Sequence, residues 1–410
     1  MILKKLDSYR LYIGTAFWFR FCWALMTTVS MVFMVTVAGL DPLQMVLVGT
    51  VLELSTFLFE IPTGVVADVY SRRASIIIGY IMVGAGYMLL GFYPRFDVIL
   101  LSQVIWGCGF TFISGASQAW ISDEIGESRA NAAFITASQI GKVGLLIGIA
   151  VCIALAMIDL KIPIIVGSFG LVLLGVFCLF FMGESRYRSL QDDERESWQK
   201  MAATLSDGVQ LVRTHPVLWI IILIALFEGM YSEGYDRLFA PFLIESFEFP
   251  TLAGLDAVIW WGVLSAGATV LAFIALELVR RFVNTSNYRH LVMALTVCCS
   301  LLVGTMLAFV LAGSFYVAVF VYFAVAVLRS VKGPLSTAWL NQNLESDTRA
   351  TVFSMQAQAD AIGQVGGGPV VGAIGKFYSL QMALLVTTVA LIPAVGLYRK
   401  ALGIKQVEQS

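Results

Sequence analysis

The segment that decides the fold runs from Glu60 to Ile76 and reads E-I-P-T-G-V-V-A-D-V-Y-S-R-R-A-S-I. An apolar run ends there at Asp68, a basic pair follows at Arg72 and Arg73, and apolar sequence then resumes. A core helix of a soluble protein has no need of such an interruption, whereas a short loop between two membrane helices carries cations on its cytoplasmic side. The segment therefore predicts a tight cytoplasmic turn between two membrane-spanning helices.

The composition of the whole chain agrees with a membrane protein. Of the 410 residues, 59% are hydrophobic and 13% are charged, whereas a soluble domain is roughly half apolar and about a quarter charged. The net charge of −1 does not indicate nucleic-acid binding, and the six cysteines lie in apolar runs without metal-ligand spacing. We expect an integral membrane protein with no metal, no cofactor and no nucleic-acid partner.

Twelve apolar stretches are long enough to cross a bilayer, which takes about 20 residues of helix. Most connections between them are short, but the charged segment 184–214 separates the first six stretches from the last six. The predicted domains are therefore residues 1–183, a linker over 184–214, and residues 215–410. The predicted spans are 11–38, 43–69, 74–93, 97–121, 131–158, 163–183, 216–242, 254–280, 289–312, 315–340, 350–374 and 379–398.

Lysine and arginine predict the orientation of these spans. They collect at the two termini, in the central linker and in alternate loops, while only Arg95, Lys161 and Lys376 fall on the other side. The side rich in Lys and Arg is the cytoplasm in most membrane proteins. Both termini and the linker are therefore expected in the cytoplasm, and the first apolar run is too long to be the core of a cleavable signal peptide.

The two halves contain related sequences. The segment A-W-I-S-D-E-I-G-E-S-R-A, which starts at Ala119, resembles A-W-L-N-Q-N-L-E-S-D-T-R-A, which starts at Ala338. Further along, I-G-K-V-G at Ile140 resembles I-G-Q-V-G at Ile362. Both matches fall at equivalent places relative to the predicted helices. They predict an all-α integral membrane fold of twelve transmembrane helices in two parallel-repeat six-helix bundles.

The spacing G-x-x-x-D-x-x-x-R-R falls on Gly64, Asp68, Arg72 and Arg73. It resembles the signature between the second and third helices of the major facilitator superfamily. The resemblance implies a transporter that alternates between inward-open and outward-open states, with this loop as part of a cytoplasmic gate. The sequence also departs from the pattern of many proton-coupled members of this superfamily, because Gln103 stands where they carry an arginine in the fourth helix.

Elementary electrostatics fits a gate at this loop. Asp68 can face the positive N-terminal end of the eleventh helix, while Arg72 and Arg73 can meet Asp123 and Glu124 at the end of the fourth. The alternative is that these residues only anchor the topology. The residues predicted for the gate are Gly64, Asp68, Arg72, Arg73 and Asp123.

Several ionisable residues fall inside predicted spans, where a charge is costly and usually faces the interior of the bundle. Arg20 and Glu60 lie at similar depths, about 13 Å from the cytoplasmic ends of their helices, which predicts an ion pair between them. Glu53 lies near the midplane. Either these residues couple transport to protons, or they form a structural ion pair and a neutral hydrogen-bonded acid. The predicted coupling residues are Glu53, Glu60, Arg20 and Glu228.

The second half carries a comparable set of charges. Glu228 falls near the midplane of the seventh span, where Tyr231 could wall a cavity, and the later charges of that span lie at an outer gate or merely at the interface. Arg329 and Asp360, at similar depth in two other helices, predict a second ion pair. The residues predicted for substrate binding are Glu53, Glu228, Tyr231, Arg329, Asp360, Gln103 and Lys142.

The leading functional prediction is proton-coupled efflux of amphipathic or cationic small molecules, of the multidrug or tetracycline type that confers antibiotic resistance. The first alternative is a transporter of one metabolite, such as a sugar, an amino acid or a siderophore. The second is a membrane receptor or scaffold that transports nothing. Motifs for nucleotide binding or zinc hydrolysis are absent from the sequence, so we expect no enzyme and no catalytic residues. By resemblance, we expect a monomer in the bacterial inner membrane.

Overall fold

The computed structural model describes residues 5–185, 212–213, 215–251, 258–344 and 346–403. The regular secondary structure of these ranges is helical throughout. Fifteen principal helices lie in them: α1 Ser8–Thr27, α2 Ser30–Thr36, α3 Pro42–Val69, α4 Arg72–Phe92, α5 Phe96–Ile113, α6 Ala116–Ile125, α7 Glu127–Ala156, α8 Lys161–Phe181, α9 Pro216–Ser246, α10 Ile259–Phe282, α11 Tyr288–Val310, α12 Phe315–Gln342, α13 Ser346–Phe377, α14 Leu380–Ala390 and α15 Ile392–Leu402.

These helices make the twelve predicted spans. Three spans are each built from two consecutive helices, namely α1 with α2, α5 with α6, and α14 with α15. Eleven spans in the described part of the chain are long and apolar enough to cross a membrane. The remaining span is α13, the eleventh along the chain. It has 32 residues but carries polar side chains such as Gln356, Asp360 and Gln364 along its length. The predicted twelve-helix membrane fold is confirmed.

Local sequence explains where the helices begin and break. Asp41 and Gln44 exchange backbone-to-side-chain hydrogen bonds of 2.9 and 3.0 Å at the start of α3, which satisfies two amide groups that a helix terminus leaves unpaired. Ser71 caps α4 by accepting a bond from the Ala74 N–H at 2.9 Å. Gly115 has a φ of 72° between α5 and α6, a conformation that favours glycine.

Glycines let neighbouring helices approach closely. A Cβ atom added to Gly86 of α4 would lie 2.8 Å from the Trp106 Cβ of α5, and one added to Gly109 of α5 would lie 2.7 Å from the Met82 Cβ of α4. Small residues at such crossings allow backbone-level packing between membrane helices. The same device joins α9 to α13, where a Cβ on Gly367 would lie 3.0 Å from the Met230 Cβ. These contacts hold the helices that carry the charged residues.

The chain divides into two compact units. The described residues of Met1–Leu40, Val51–Ser197 and Pro250–Val263 form the first unit, and those of Asp41–Thr50, Trp198–Phe249 and Leu264–Ser410 form the second. Most of the predicted linker lies outside the described residues, and so does the predicted start of the eighth span at residue 254. The predicted domain boundaries at 183 and 215 stay a prediction.

The internal repeat has a structural counterpart within each unit. Trp120 and Trp339, which occupy equivalent positions of the repeat, are both buried near the ends of their helices. The Trp120 indole donates a 2.8 Å hydrogen bond to the Gly183 carbonyl, while the Trp339 ring packs on Tyr398 with centroids 5.5 Å apart. In both copies a new long helix begins within a few residues, at Glu127 and at Ser346.

Candidate functional site

A buried ion pair joins two helices of the second unit. The Lys332 ammonium of α12 lies 2.7 Å from Oε1 of Glu228 on α9, and the two side chains are 6% and 18% exposed. The Tyr398 hydroxyl of α15 donates a 3.0 Å hydrogen bond to the same Oε1. Three helices therefore place one carboxylate, one ammonium and one phenol in a single cluster. We call Glu228, Lys332 and Tyr398 the buried triad.

A second ion pair lies one helical turn from the buried triad. Both guanidinium amino groups of Arg329 bond to the Asp236 carboxylate, with Nη2 lying 2.7 Å from Oδ2. Bidentate pairs of this kind are strong and directional. The Tyr231 ring lies 5.8 Å from Arg329 Cζ and 5.5 Å from Lys332 Nζ, so one aromatic side chain contacts both cations.

The predicted pairing of Arg329 with Asp360 is wrong. Asp360 instead accepts a 2.7 Å hydrogen bond from the Gln364 side chain of its own helix, while Asp236 takes Arg329. The prediction rested on similar depths in the membrane, and depth leaves the direction in which each side chain points around its helix undetermined. The structure brings predicted residues Glu228, Tyr231 and Arg329 together through α9 and α12.

A third buried pair lies nearby on α9. Glu233 is 2% exposed, and its Oε1 accepts a bond from Arg237 Nε at 3.1 Å. Gly49 of α3 lies directly against this pair, because a Cβ added to Gly49 would overlap both Glu233 and Arg237. A little further out, Lys376 of α13 forms a 2.9 Å ion pair with Asp41. The segment Asp41–Thr50 is thereby joined to the rest of the second unit at two places.

In the first unit, the predicted ion pair between Arg20 and Glu60 is absent from the described residues, so this prediction is wrong. Arg20 is exposed and lies against α7, where a Cβ on Gly141 would be 3.1 Å from its Cγ. Glu60 is exposed on α3, and Glu53 is half-buried there. Helix α1 packs mainly on α7 and α8, so among the described residues Arg20 has its neighbours on α7 and not on α3, which carries Glu60.

Gln103 and Lys142 lie in different surroundings. Gln103 is 4% exposed; its Oε1 accepts a 2.7 Å hydrogen bond from the Trp106 indole and its amide donates to Ser102 at 3.0 Å. The side chain therefore supports an aromatic cluster within the first unit. Lys142 is exposed on α7. Their predicted part in substrate binding stays a prediction.

The loop that carries the signature forms a polar cluster in the first unit. Arg72 forms an ion pair with Asp123 and lies 3.6 Å from Asp68. The pair with Asp123 offsets the unfavourable placement of a cation in the first turn of a helix. Arg73 does not reach Glu124 as predicted; its guanidinium donates to the Leu179 carbonyl at 2.6 Å.

The acids at the end of the fourth span also have other partners. Glu124 accepts hydrogen bonds from the Ser185 N–H at 2.6 Å and from the Ser185 hydroxyl at 2.8 Å. Glu184 accepts from the Ser71 hydroxyl at 2.6 Å, which ties the turn after α3 to the end of α8. Gly64 has open space where a side chain would project. A gating role for this cluster stays a prediction.

Sequence reasoning missed two members of the buried triad. Lys332 falls inside the predicted span 315–340, three residues after Arg329 and so on nearly the same helix face. That spacing was the available signal, because a lysine within a membrane span needs a partner. Tyr398 ends the last predicted span and resembles an interfacial tyrosine. Only the packing of α15 against α9 shows that it reaches Glu228.

Twelve membrane spans, an internal repeat and ion pairs buried within the spans are the features of a secondary transporter. The sequence pattern that defines the Major Facilitator Superfamily matches residues 11–332. The chain belongs to that superfamily, and it is a multi-pass integral membrane transporter.

Known proteins similar to this chain include a bacterial relative and several solved structures. The uncharacterized MFS-type transporter YxaM of Bacillus subtilis (strain 168) is 23% identical over 363 residues, which cover 87% of each chain. The structure of nucleoside transporter NupG superimposes with a TM-score of 0.79 at 13% identity, over 98% of this chain and 100% of that one.

Two further structures show the same fold. A bacterial homologue of the human lysosomal transporter Spinster, in an inward-facing and unoccupied conformation, has a TM-score of 0.74 at 15% identity, over 96% of both chains. A POT family transporter in complex with 5-aminolevulinic acid has a TM-score of 0.70 at 13% identity, over 94% of both chains. Identities this low establish a shared fold only. The substrate of this chain therefore has to be inferred from its own residues.

Proposed function

We propose that this transporter is driven by the proton gradient and exports amphipathic or cationic small molecules across a bacterial inner membrane. The observation that supports proton coupling is the buried triad, in which Glu228 is held between the Lys332 ammonium and the Tyr398 hydroxyl. A carboxylate in such a place can take up and release a proton within the membrane. Each protonation state of Glu228 then favours a different arrangement of its partners.

The coupling step follows from the charge balance of the triad. While Glu228 is ionised, it neutralises Lys332, which is almost fully buried. When Glu228 accepts a proton, Lys332 becomes an uncompensated buried cation, and breaking a buried pair in this way costs about 3–5 kcal/mol. That cost falls if α12 moves Lys332 to water or if an anionic group binds it. Protonation of Glu228 is thereby linked to a change in conformation or occupancy.

The neighbouring pair can carry this change along α9 and α12. Arg329 lies one turn before Lys332 and is bound to Asp236, one of five acidic or aromatic residues between positions 228 and 236 of α9. Tyr231 contacts both cations, so a displacement of Lys332 changes the surroundings of Arg329. Proton movement at Glu228 and repositioning of α9 are therefore parts of one step.

The first unit supports the cationic substrate class. Glu60 is exposed on the inner half of α3, and Phe57 and Phe59 on the same half are 37% and 36% exposed. A carboxylate beside exposed aromatic rings attracts a lipophilic cation through charge and cation–π interaction. The second candidate is transport of one metabolite with an anionic group, which Lys332 and Arg329 favour because such a group could replace a carboxylate partner of either cation.

The coupling proposal is tested with Glu228→Gln in proteoliposomes. Glutamine keeps the size of the side chain and can still bond to Tyr398, but it cannot exchange a proton. We expect accumulation driven by a pH gradient to be lost, while exchange of labelled for unlabelled substrate continues. Asp97→Asn is the matched control, because this acid lies at an exposed end of α5, paired with Arg95. Gradient-driven accumulation at the parental rate in Glu228→Gln would refute the coupling role.

The substrate class is tested in cells that express the chain. We expect ethidium or tetracycline to accumulate less than in cells without it, and a protonophore to abolish the difference. Glu60→Gln should weaken export of cationic dyes more than export of neutral drugs. If no compound in a broad panel of dyes and drugs responds, the export proposal fails and the anionic-metabolite candidate takes its place.

A further inference from the structure

A long apolar groove runs along the outside of the first unit between α1 and α8. Its volume is about 620 Å³, within the range of about 300–1,000 Å³ that small-molecule sites occupy. Gly14 and Trp18 line it from α1, and Leu173, Val176 and Phe177 line it from α8. Trp18, Leu173 and Phe177 each keep more than a third of their surface exposed, so the groove opens toward the lipid.

One end of the groove carries a cation. Arg10 is the charged residue among those that line it, and it is exposed in the first turn of α1. The Asp7 carboxylate caps the helix by accepting a 3.0 Å bond from the Arg10 backbone N–H. Among the described residues, the Arg10 guanidinium has neither an ion pair nor a hydrogen bond. Lys5 is exposed a few residues away and adds a second positive charge.

The walls of the groove are fixed in place. The Leu6 N–H donates a 3.1 Å hydrogen bond to the Phe181 carbonyl, which joins the beginning of α1 to the end of α8. The Trp18 indole donates a 2.9 Å bond to the Gly170 carbonyl of α8. Arg10 and Trp18 are eight residues apart, so about 12 Å of helix separates them. The groove is thus a preformed slot with a cation at one end and an aromatic ring deeper in the membrane.

We propose that this groove binds an anionic phospholipid, with one acyl chain between α1 and α8 and the phosphate on the Arg10 guanidinium. Basic residues at the ends of membrane helices attract anionic headgroups, and a guanidinium suits a phosphate geometrically. The apolar walls fit a hydrocarbon chain and offer a polar substrate little to bind. Arg10 lies on the side that the distribution of Lys and Arg assigns to the cytoplasm. The proposal does not depend on the substrate or on proton coupling.

The experiment measures quenching of Trp18 by phospholipids with brominated acyl chains in reconstituted full-length protein. The quenching of Trp18 is the difference in fluorescence quenching between the parent and Trp18→Phe, so the contributions of the other tryptophans cancel. Brominated phosphatidylglycerol and phosphatidylcholine are compared at equal mole fractions. We expect the anionic lipid to associate about five-fold more strongly near Trp18, the factor that one surface cation supplies beside an anionic lipid.

Two substitutions, each with a matched control, test the contributions of the cation and of the apolar groove separately. Arg10→Gln should abolish the preference for the anionic lipid, while Arg289→Gln, which removes an exposed arginine from α11, should leave it intact. Gly14→Leu should reduce quenching by both lipids, because open space lies where its side chain would project. Gly304→Leu is its control, since Gly304 is an exposed glycine of the second unit with equally open surroundings.

Three results would overturn the proposal. The first is equal quenching of Trp18 by the two lipids in the parent protein. The second is a preference that survives Arg10→Gln or that disappears as fully in Arg289→Gln, because either would assign it to the general surface charge. The third is unchanged quenching in Gly14→Leu. Each variant is first shown to melt at the same temperature as the parent protein, so a loss of quenching cannot be confused with unfolding.

Discussion

The contact of Gly49 with the buried pair Glu233–Arg237 gives the sharpest prediction about stability. A Cβ built on Gly49 overlaps Glu233 Oε1 and Arg237 Nε and lies 2.7 Å from Arg237 Cζ, whereas real Cβ atoms keep at least about 3.0 Å from such neighbours. Gly49→Ala must therefore displace a buried ion pair or move the start of α3 away from α9. Extra carbon in a well-packed interior costs about 1–3 kcal/mol.

A second glycine isolates this cost. Gly304→Ala adds the same methyl group within a helix, but nothing lies within 4 Å of its new Cβ. Both substitutions gain a similar amount from the higher helix propensity of alanine, about 1 kcal/mol, so that contribution cancels in the comparison. We expect Gly49→Ala to be less stable than Gly304→Ala by the overpacking cost alone, about 1–3 kcal/mol.

The chain carries its own probes for the measurement. Five of its six cysteines are buried, at positions 22, 152, 178, 298 and 299, so a thiol-reactive dye reports thermal unfolding in detergent as these side chains become accessible. Gly49→Ala should melt at a lower temperature than the parent, and Gly304→Ala at the parental temperature or above it. Equal melting temperatures for the two variants would refute the overpacking argument and with it the tight packing of α3 on Glu233.

Three further predictions concern the charged residues. Glu53→Gln should abolish gradient-driven transport while the protein still folds in the membrane; unchanged transport would remove Glu53 from the coupling path. Asp68→Asn should weaken the cytoplasmic gate, so thiol labelling of cysteines introduced into the inner cavity should become faster than in the parent. Partial burial disfavours the ionised form of Asp41, but the Gln44 N–H and the Lys376 ammonium outweigh it and hold its pKa below the ordinary value. The stability that this pair contributes is therefore present above the unfolded pKa of Asp41 and disappears as the pH falls through the lowered folded pKa. Lys376→Met should melt at a lower temperature than the parent at pH 7 and at the same temperature as the parent at low pH. A difference in melting temperature that persists in acid would contradict this account.

The positions of the membrane spans were predictable from sequence because their physical cause is local. A bilayer sets the length of an apolar helix, and a loop such as the one at Arg72 and Arg73 must carry polar residues wherever it meets water. The internal repeat was visible for the same reason, since each copy places a tryptophan and a helix break at the same point. The ion pair of Arg72 with Asp123 was also expected, because both residues stand at helix ends that the sequence places on the same side of the membrane.

The pairing of charges inside the bundle was less predictable. Arg20 and Glu60 fall at similar predicted depths but form no ion pair among the described residues, and Arg329 binds Asp236 in preference to Asp360. Helix position gives the depth of a side chain, whereas the choice of partner depends on helix rotation and on which helices are neighbours. A change of one residue rotates a side chain by about 100° around the helix, so small errors in the expected register exchange one partner for another.

By itself, the sequence determined that this protein is a twelve-helix membrane transporter, since hydrophobic length, flanking charge and repetition are properties of the linear chain. Only the tertiary structure decided that Lys332 and Tyr398 meet at Glu228, that the start of α3 packs on a buried ion pair, and that α1 and α8 leave a groove beside Arg10. These features depend on contacts between residues far apart in sequence. The packing of helices creates them, and no local pattern records which helix faces will meet.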